Sequence, residues 1–158
     1  MADRTKAVPS TLTLPTAPKT WAGSEYILKT TGAQKLMVYG ISSGALKAAL
    51  FAQHHPERIA KLALDAFVWT GEGSPTLADR KKKLPEFLAK NTRPIDRAFV
   101  HSIFNRDHGA CADEATKDAF ADAILTLDSA MPTGTYVDMC SKLPLIDPAK
   151  VTSPTLIK

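Results

Sequence analysis

Cysteine is nearly missing from this chain: Cys111 and Cys140 are the two among 158 residues, too few for a disulfide framework. Unpaired thiols in a reducing compartment are the simpler expectation. Aromatic residues are sparse, at 7%, and are not interleaved with basic ones, so the chain lacks the footprint of a nucleic-acid surface. The net charge of +4 is modest, and much of the excess sits in one run, Arg80-Lys81-Lys82-Lys83. That run begins a segment with Leu84, Phe87 and Leu88 on its other face, which reads as a solvated surface. No apolar stretch approaches the roughly 20 residues of a membrane span. The polar start, Met1 to Lys6, leads into no signal-peptide core. These absences predict a cytoplasmic protein with neither a nucleic-acid nor a membrane partner. What is present, 44% hydrophobic and 23% charged residues, suffices to bury one core.

Residues 1–21, with Pro9, Pro15 and Pro18, read as an extended or disordered leader. A short helix is expected from Ser24, as N-cap, to Thr30, with Gly32 ending it. Lys35 to Tyr39 is an apolar run of strand length, and Ala45 to His55 is helical in spacing. Its Ala45, Ala48, Ala49 and Ala52 recur at i, i+3, i+4 and i+7, a small-residue face that lets a helix lie close on a sheet. A second strand follows from Ile59 to Ala66, extending towards Trp69. Strand, helix, strand predicts a βαβ unit and a parallel sheet. Beyond Pro75, residues 76–90, 94–105, 112–127 and 134–142 have helical spacing with no strand between them, as in a cap inserted between strands. Residues 151–158 begin another strand. The expected division is therefore a core segment at 22–75, a helical cap at 76–145 and a return to the core at 146–158.

Between the first strand and its helix stands Gly40-Ile41-Ser42-Ser43-Gly44. Gly-x-Ser-x-Gly in that setting has a mechanical reason. A serine on a tight, strained turn presents its hydroxyl above the sheet edge, and glycines two residues to either side remove Cβ atoms that would clash. The backbone N–H of Ser43 becomes one donor of an oxyanion hole, worth roughly 3–4 kcal/mol of barrier. The other reading of the same five residues is an ordinary strand-to-helix turn.

Leu36 to Ala45, followed by Ala52-Gln53-His54-His55-Pro56-Glu57-Arg58-Ile59 and an apolar strand, resembles the nucleophile elbow, following helix and next strand of the α/β-hydrolase superfamily. The resemblance covers about 22–158 and is strongest at 35–69. It implies an α/β fold, a partial parallel sheet of an α/β-hydrolase with a helical cap. It also implies hydrolysis of a carboxylic ester or related acyl bond through Ser42, in the manner of a carboxylesterase, with no cofactor and no metal. Serine at the elbow, rather than aspartate, sets it apart from the dehalogenase and epoxide hydrolase branches. The family's early strands would precede Ser24, and its usual acid and histidine would follow Lys158, so the chain is expected to be the middle portion of a longer hydrolase.

The remaining partners of a serine nucleophile are harder to place. Asp65 ends the strand after the elbow, at the sheet edge where catalytic groups gather, and is the candidate acid. Its other reading is a loop cap bonded to Thr70 or nearby backbone. Asp147, before Pro148, reads as a turn residue. His54 and His55 close a helix that starts at Ser42, roughly 15–20 Å away at 1.5 Å per residue, beyond the reach a base needs. His101 and His108 fall in the cap. A metal set of His101, Asp107, His108 and Cys111 matches no zinc spacing. Ser-x-x-Lys is absent, because Lys47 stands four after Ser43 and five after Ser42. Phe67, Trp69, Phe99, Phe104, Tyr136 and Met139 could line an apolar pocket for a small-molecule acyl substrate, or simply fill the core. The competing function is a catalytically inert binding module that self-associates into a homo-oligomer through exposed sheet edges.

Overall fold

The computed structural model describes residues 17–105 and 112–158. The first helix, α1, runs Ala17–Thr31. It begins before Ser24, inside the segment expected to be an extended leader. Pro18 falls in the first turn, where a missing N–H breaks no helical bond, so the proline that was read as a breaker is compatible with a helix start. Residues 1–16 of the expected leader lie outside the described residues. Ser24 is buried, and Glu25 pairs with Arg58 at 2.8 Å, tying α1 to the turn that follows the next helix.

Strand β1 (Leu36–Ile41) leads through Ser42 into α2 (Ser43–His54), then a 3-10 turn at Pro56–Arg58 and strand β2 (Ile59–Asp65). β1 and β2 pair in parallel, Val38 opposite Leu62 and Ile41 opposite Asp65. This is the expected strand, helix, strand unit. The small face of α2 does what its spacing foretold: Ala45, Ala48, Ala49 and Ala52 are all buried, with Leu46 and Phe51. β2 stops at Asp65 rather than continuing towards Trp69, because Ala66 takes a left-handed backbone, φ 48°.

The cap follows. The segment expected as one helix over 76–90 is two, α3 (Pro75–Lys82) and α4 (Leu84–Ala89). Pro85, in the first turn of α4, cannot donate to the end of α3 and so separates them. Then come β3 (Thr92–Pro94), α5 (Arg97–Asn105), α6 (Glu114–Leu127), β4 (Ala130–Pro132) and α7 (Gly134–Ser141). β3 and β4 form an antiparallel ribbon, Arg93 opposite Met131. The cap was expected to hold no strand. Three-residue strands ending in proline have no alternation to read, so the sequence pattern hides them. Thr133 is buried; its hydroxyl donates to the Lys90 carbonyl at 2.5 Å and its N–H to that of Asn91 at 3.0 Å, locking the start of α7 to the end of α4.

Last is β5 (Thr155–Ile157), which pairs in parallel with β2 and gives the sheet order β1-β2-β5. One face of the sheet packs on α2 through Leu62 and Leu64, both buried, while Met37, Tyr39, Ile41 and Leu156 stay exposed. Sheet and cap share one core: Leu77 and Phe87 of α3 and α4, and Met139 and Cys140 of α7, join Leu46, Leu62 and Leu64. The fold is α/β, a partial parallel sheet with a helical cap. Among the described residues, no helix is long and apolar enough to cross a membrane.

Candidate active site

Ser42 has φ 53° and ψ −121°, outside the regions open to most L-residues. A residue held there costs of order 1–3 kcal/mol, so the surroundings must enforce it. They do. The Ser42 N–H donates to the Asp65 carbonyl at 2.9 Å, extending the β1–β2 pairing by one bond, and the Ser42 carbonyl already accepts from Ala45 N–H at 3.0 Å. The chain is thus held as strand on one side of Ser42 and as helix on the other.

The two glycines of the motif are not equivalent. A Cβ at Gly40 would meet the Gly44 carbonyl oxygen at 2.4 Å and Ala45 Cα at 2.8 Å, so only glycine lets α2 close over the end of β1. Around Gly44 there is open space. The steric reason expected for both holds for Gly40 alone.

Ser42 stands at the N-cap of α2, yet its side chain makes no capping bond. An ordinary N-cap serine sits in extended backbone and spends its oxygen on the helix N–H groups. Here the backbone is turned away from that region, the side chain makes no capping bond, and Ser42 is exposed in the wall of an open cavity of about 300 Å³. Ser43, Lys47, Arg80, Met131, Thr135, Tyr136 and Met139 share that cavity, so its walls come from α2, α3, the ribbon and α7. Ser43 is the first residue of α2, and an N–H at that position has no partner within its own helix. Lys47 is exposed and Arg80 half-buried. Burial pushes the Cys140 thiol up, while Arg80 and Lys81 pull against it.

Asp65, whose backbone carbonyl accepts from Ser42, engages its side chain with Tyr39. Its carboxylate accepts from the Tyr39 hydroxyl at 3.0 Å, on the sheet face away from α2, and it is not among the residues lining the Ser42 cavity. This pairing is neither the Thr70 bond nor the loop cap considered above. The hydrogen bond raises the Tyr39 phenol pKa, since ionisation would give up the donated proton and then set two anions side by side. None of His54, His55 and His101 lines the cavity. His54 and His55 close α2, His55 against the Phe51 ring at 5.2 Å. His101 packs between α5 and α6, 3.0 Å from Asp118 Oδ1 and 3.6 Å from Glu114. His108, Asp107 and Cys111 lie outside the described residues.

The aromatic residues do not form one pocket. Tyr136 and Met139 line the Ser42 cavity, and Phe99 joins Tyr136 in a second one beside it. Phe67 and Trp69 line a separate apolar cavity with Ile146 and Val151, where Trp69 Nε1 donates to the Ile146 carbonyl at 3.0 Å. Phe104 meets Phe120 edge-on at 5.4 Å, in the α5–α6 pair. Arg80 is the residue the sequence reading missed, taken there for part of a solvated run.

The structure is similar to a crystal structure of E-2-(acetamidomethylene)succinate hydrolase, with a TM-score of 0.50 and 14% identity. The likeness is one of fold. It covers 99% of this chain and 57% of the hydrolase's, so the chain spans a little over half the length of that protein. No family profile matches the sequence, and no curated protein does.

Proposed function

We propose that this chain carries the nucleophile of a serine hydrolase of the carboxylesterase kind, acting on an ester or related acyl bond. The observation that carries the reading is Ser42 itself: a non-glycine residue held at φ 53° on a strand-to-helix turn, its hydroxyl unused for capping and the residue lining an open cleft. An inert turn has no need of that strain. The fold likeness to a hydrolase supports the general class.

In this reading Ser42 Oγ attacks the acyl carbon, and the carbonyl oxygen gathers negative charge against the Ser43 N–H. The bond to the leaving group breaks, the serine proton ends on the departing alcohol, and water then releases the acid. None of His54, His55 and His101 lines the Ser42 cavity, and the Asp65 carboxylate accepts from Tyr39. A rapid release of p-nitrophenol from p-nitrophenyl acetate, equal in amount to the protein and absent in Ser42→Ala, is the expected outcome. An identical trace from the folded Ser42→Ala variant would leave the inert binding module as the better reading.

A further inference from the structure

Beside the Ser42 cavity lies a second one of about 630 Å³, and Arg80 and Tyr136 line both. The two are therefore neighbouring parts of one cleft, with Ser42 at one end and Arg93 and Phe99 at the other. Its charge is lopsided. Among the described residues, Arg80, Lys83, Lys90 and Arg93 line the second cavity against a single carboxylate, Glu86, and Lys47 adds another cation beside Ser42.

The arginines are held in place by stacking, not by acids. The Arg80 guanidinium lies 4.8 Å from the Tyr136 ring centre, and that of Arg93 lies 4.7 Å from the same ring and 4.5 Å from Phe99. Arg93 also donates to the Tyr136 hydroxyl at 2.9 Å. Sharing one ring puts the two guanidiniums within about 10 Å of each other. Neither has a carboxylate partner among the described residues, although Arg97, Arg58 and Lys82 nearby in the chain each have one. Arg93 Nε is buried with no acceptor. A buried guanidinium N–H without an acceptor is costly, and a planar fork suits an oxyanion. Stacking fixes both guanidiniums in the wall of the cleft; Arg93 gives one Nη to Tyr136, which leaves its other Nη and the Arg80 guanidinium to a ligand.

Resting on the acyl-hydrolase reading, we infer that the substrate bears an anionic end, a carboxylate or a phosphate, bound between Arg80 and Arg93 while its acyl bond lies at Ser42. Arg80 and Arg93 then set specificity, and Tyr136 positions both.

Calorimetric titration of the whole chain with glutarate, its neutral diamide glutaramide and inorganic phosphate tests this. Glutarate or phosphate is expected to bind at least tenfold more tightly than glutaramide, the preferred anion identifying the anionic end. Arg80→Gln and Arg93→Gln should each weaken that binding tenfold or more. Lys82→Gln, which only loses its partner Asp79, should not. Should Arg93→Gln fail to fold, as a melting curve would show, Arg80→Gln still decides the matter. Equal affinity for glutaramide, or anion binding that survives the arginine substitutions in folded protein, overturns the inference. Ser42→Ala separates the two readings: it should abolish the p-nitrophenol burst while leaving anion binding unchanged. A burst without anion preference sinks only the anionic substrate, and anion binding without a burst sinks only the nucleophile.

Discussion

At the scale of single residues, the turn around Ser42 rests on one glycine. Gly40 leaves no room for a Cβ, because its nearest neighbours are backbone atoms of Gly44 and Ala45, which cannot swing aside as a side chain could. Gly40→Ala is expected to destabilise the chain by roughly 1–3 kcal/mol in urea denaturation, the usual range for overpacking. Gly44→Ala, with open space around it and helical backbone, should be stabilising by up to about 1 kcal/mol. Equal effects at the two positions would contradict this account of the turn. The motif Gly40-Ile41-Ser42-Ser43-Gly44 was legible as a strand-to-helix turn, since the residue types and the flanking apolar runs both pointed there. The unequal needs of its glycines were not, because both are the same letter and only the approach of α2 to β1 tells them apart.

At the scale of elements, the α5–α6 pair is held at its surface by carboxylates that must stay ionised. Hydrogen bonding from Arg97 holds the Asp118 carboxyl below the usual carboxylate range, and Arg97 reaches Asp122 as well. The Thr116 N–H does the same for Asp113, which caps α6 at 2.7 Å. A carboxyl whose pKa is lower folded than unfolded adds stability that is complete above the unfolded value, near 4, and lost as pH falls through the folded one. The melting temperature should therefore hold steady above about pH 5 and fall as the pH drops below about 4. These groups are exposed, so the drop attributable to any one is small, and Asp118→Asn should flatten it. A flat profile to pH 3, or an unchanged slope in Asp118→Asn, would contradict this.

Helices α2, α5, α6 and α7 could be anticipated because their apolar spacing is helical and their breakers stand at the ends. The break between α3 and α4 turns on Pro85, and the β3–β4 ribbon on pairing between Arg93 and Met131, residues far apart in sequence. Arg80 escaped notice for the same reason. Its neighbours Lys81, Lys82 and Lys83 are exposed, and only the arrival of α7 with Tyr136 turns Arg80 inward.

At the scale of the whole molecule, sheet and cap are expected to melt as one body, because a single cluster of buried side chains runs from Leu62 of β2 to Met139 of α7. Leu62→Ala and Met139→Ala, each at a buried site, should lower one common transition by about 2–5 kcal/mol. Two separable transitions would show the cap to be an independent unit. The shared core is what holds Tyr136 and Arg80 over the elbow, and so what makes a cavity of the turn at Ser42. Whether that cavity does chemistry is decided most directly by treating the folded chain with a fluorophosphonate probe and mapping the adduct by peptide mass spectrometry. One adduct, on the peptide bearing Ser42 and missing from Ser42→Ala, is the expected result; folded protein that takes up no probe, or takes it up on another residue, would contradict the assignment.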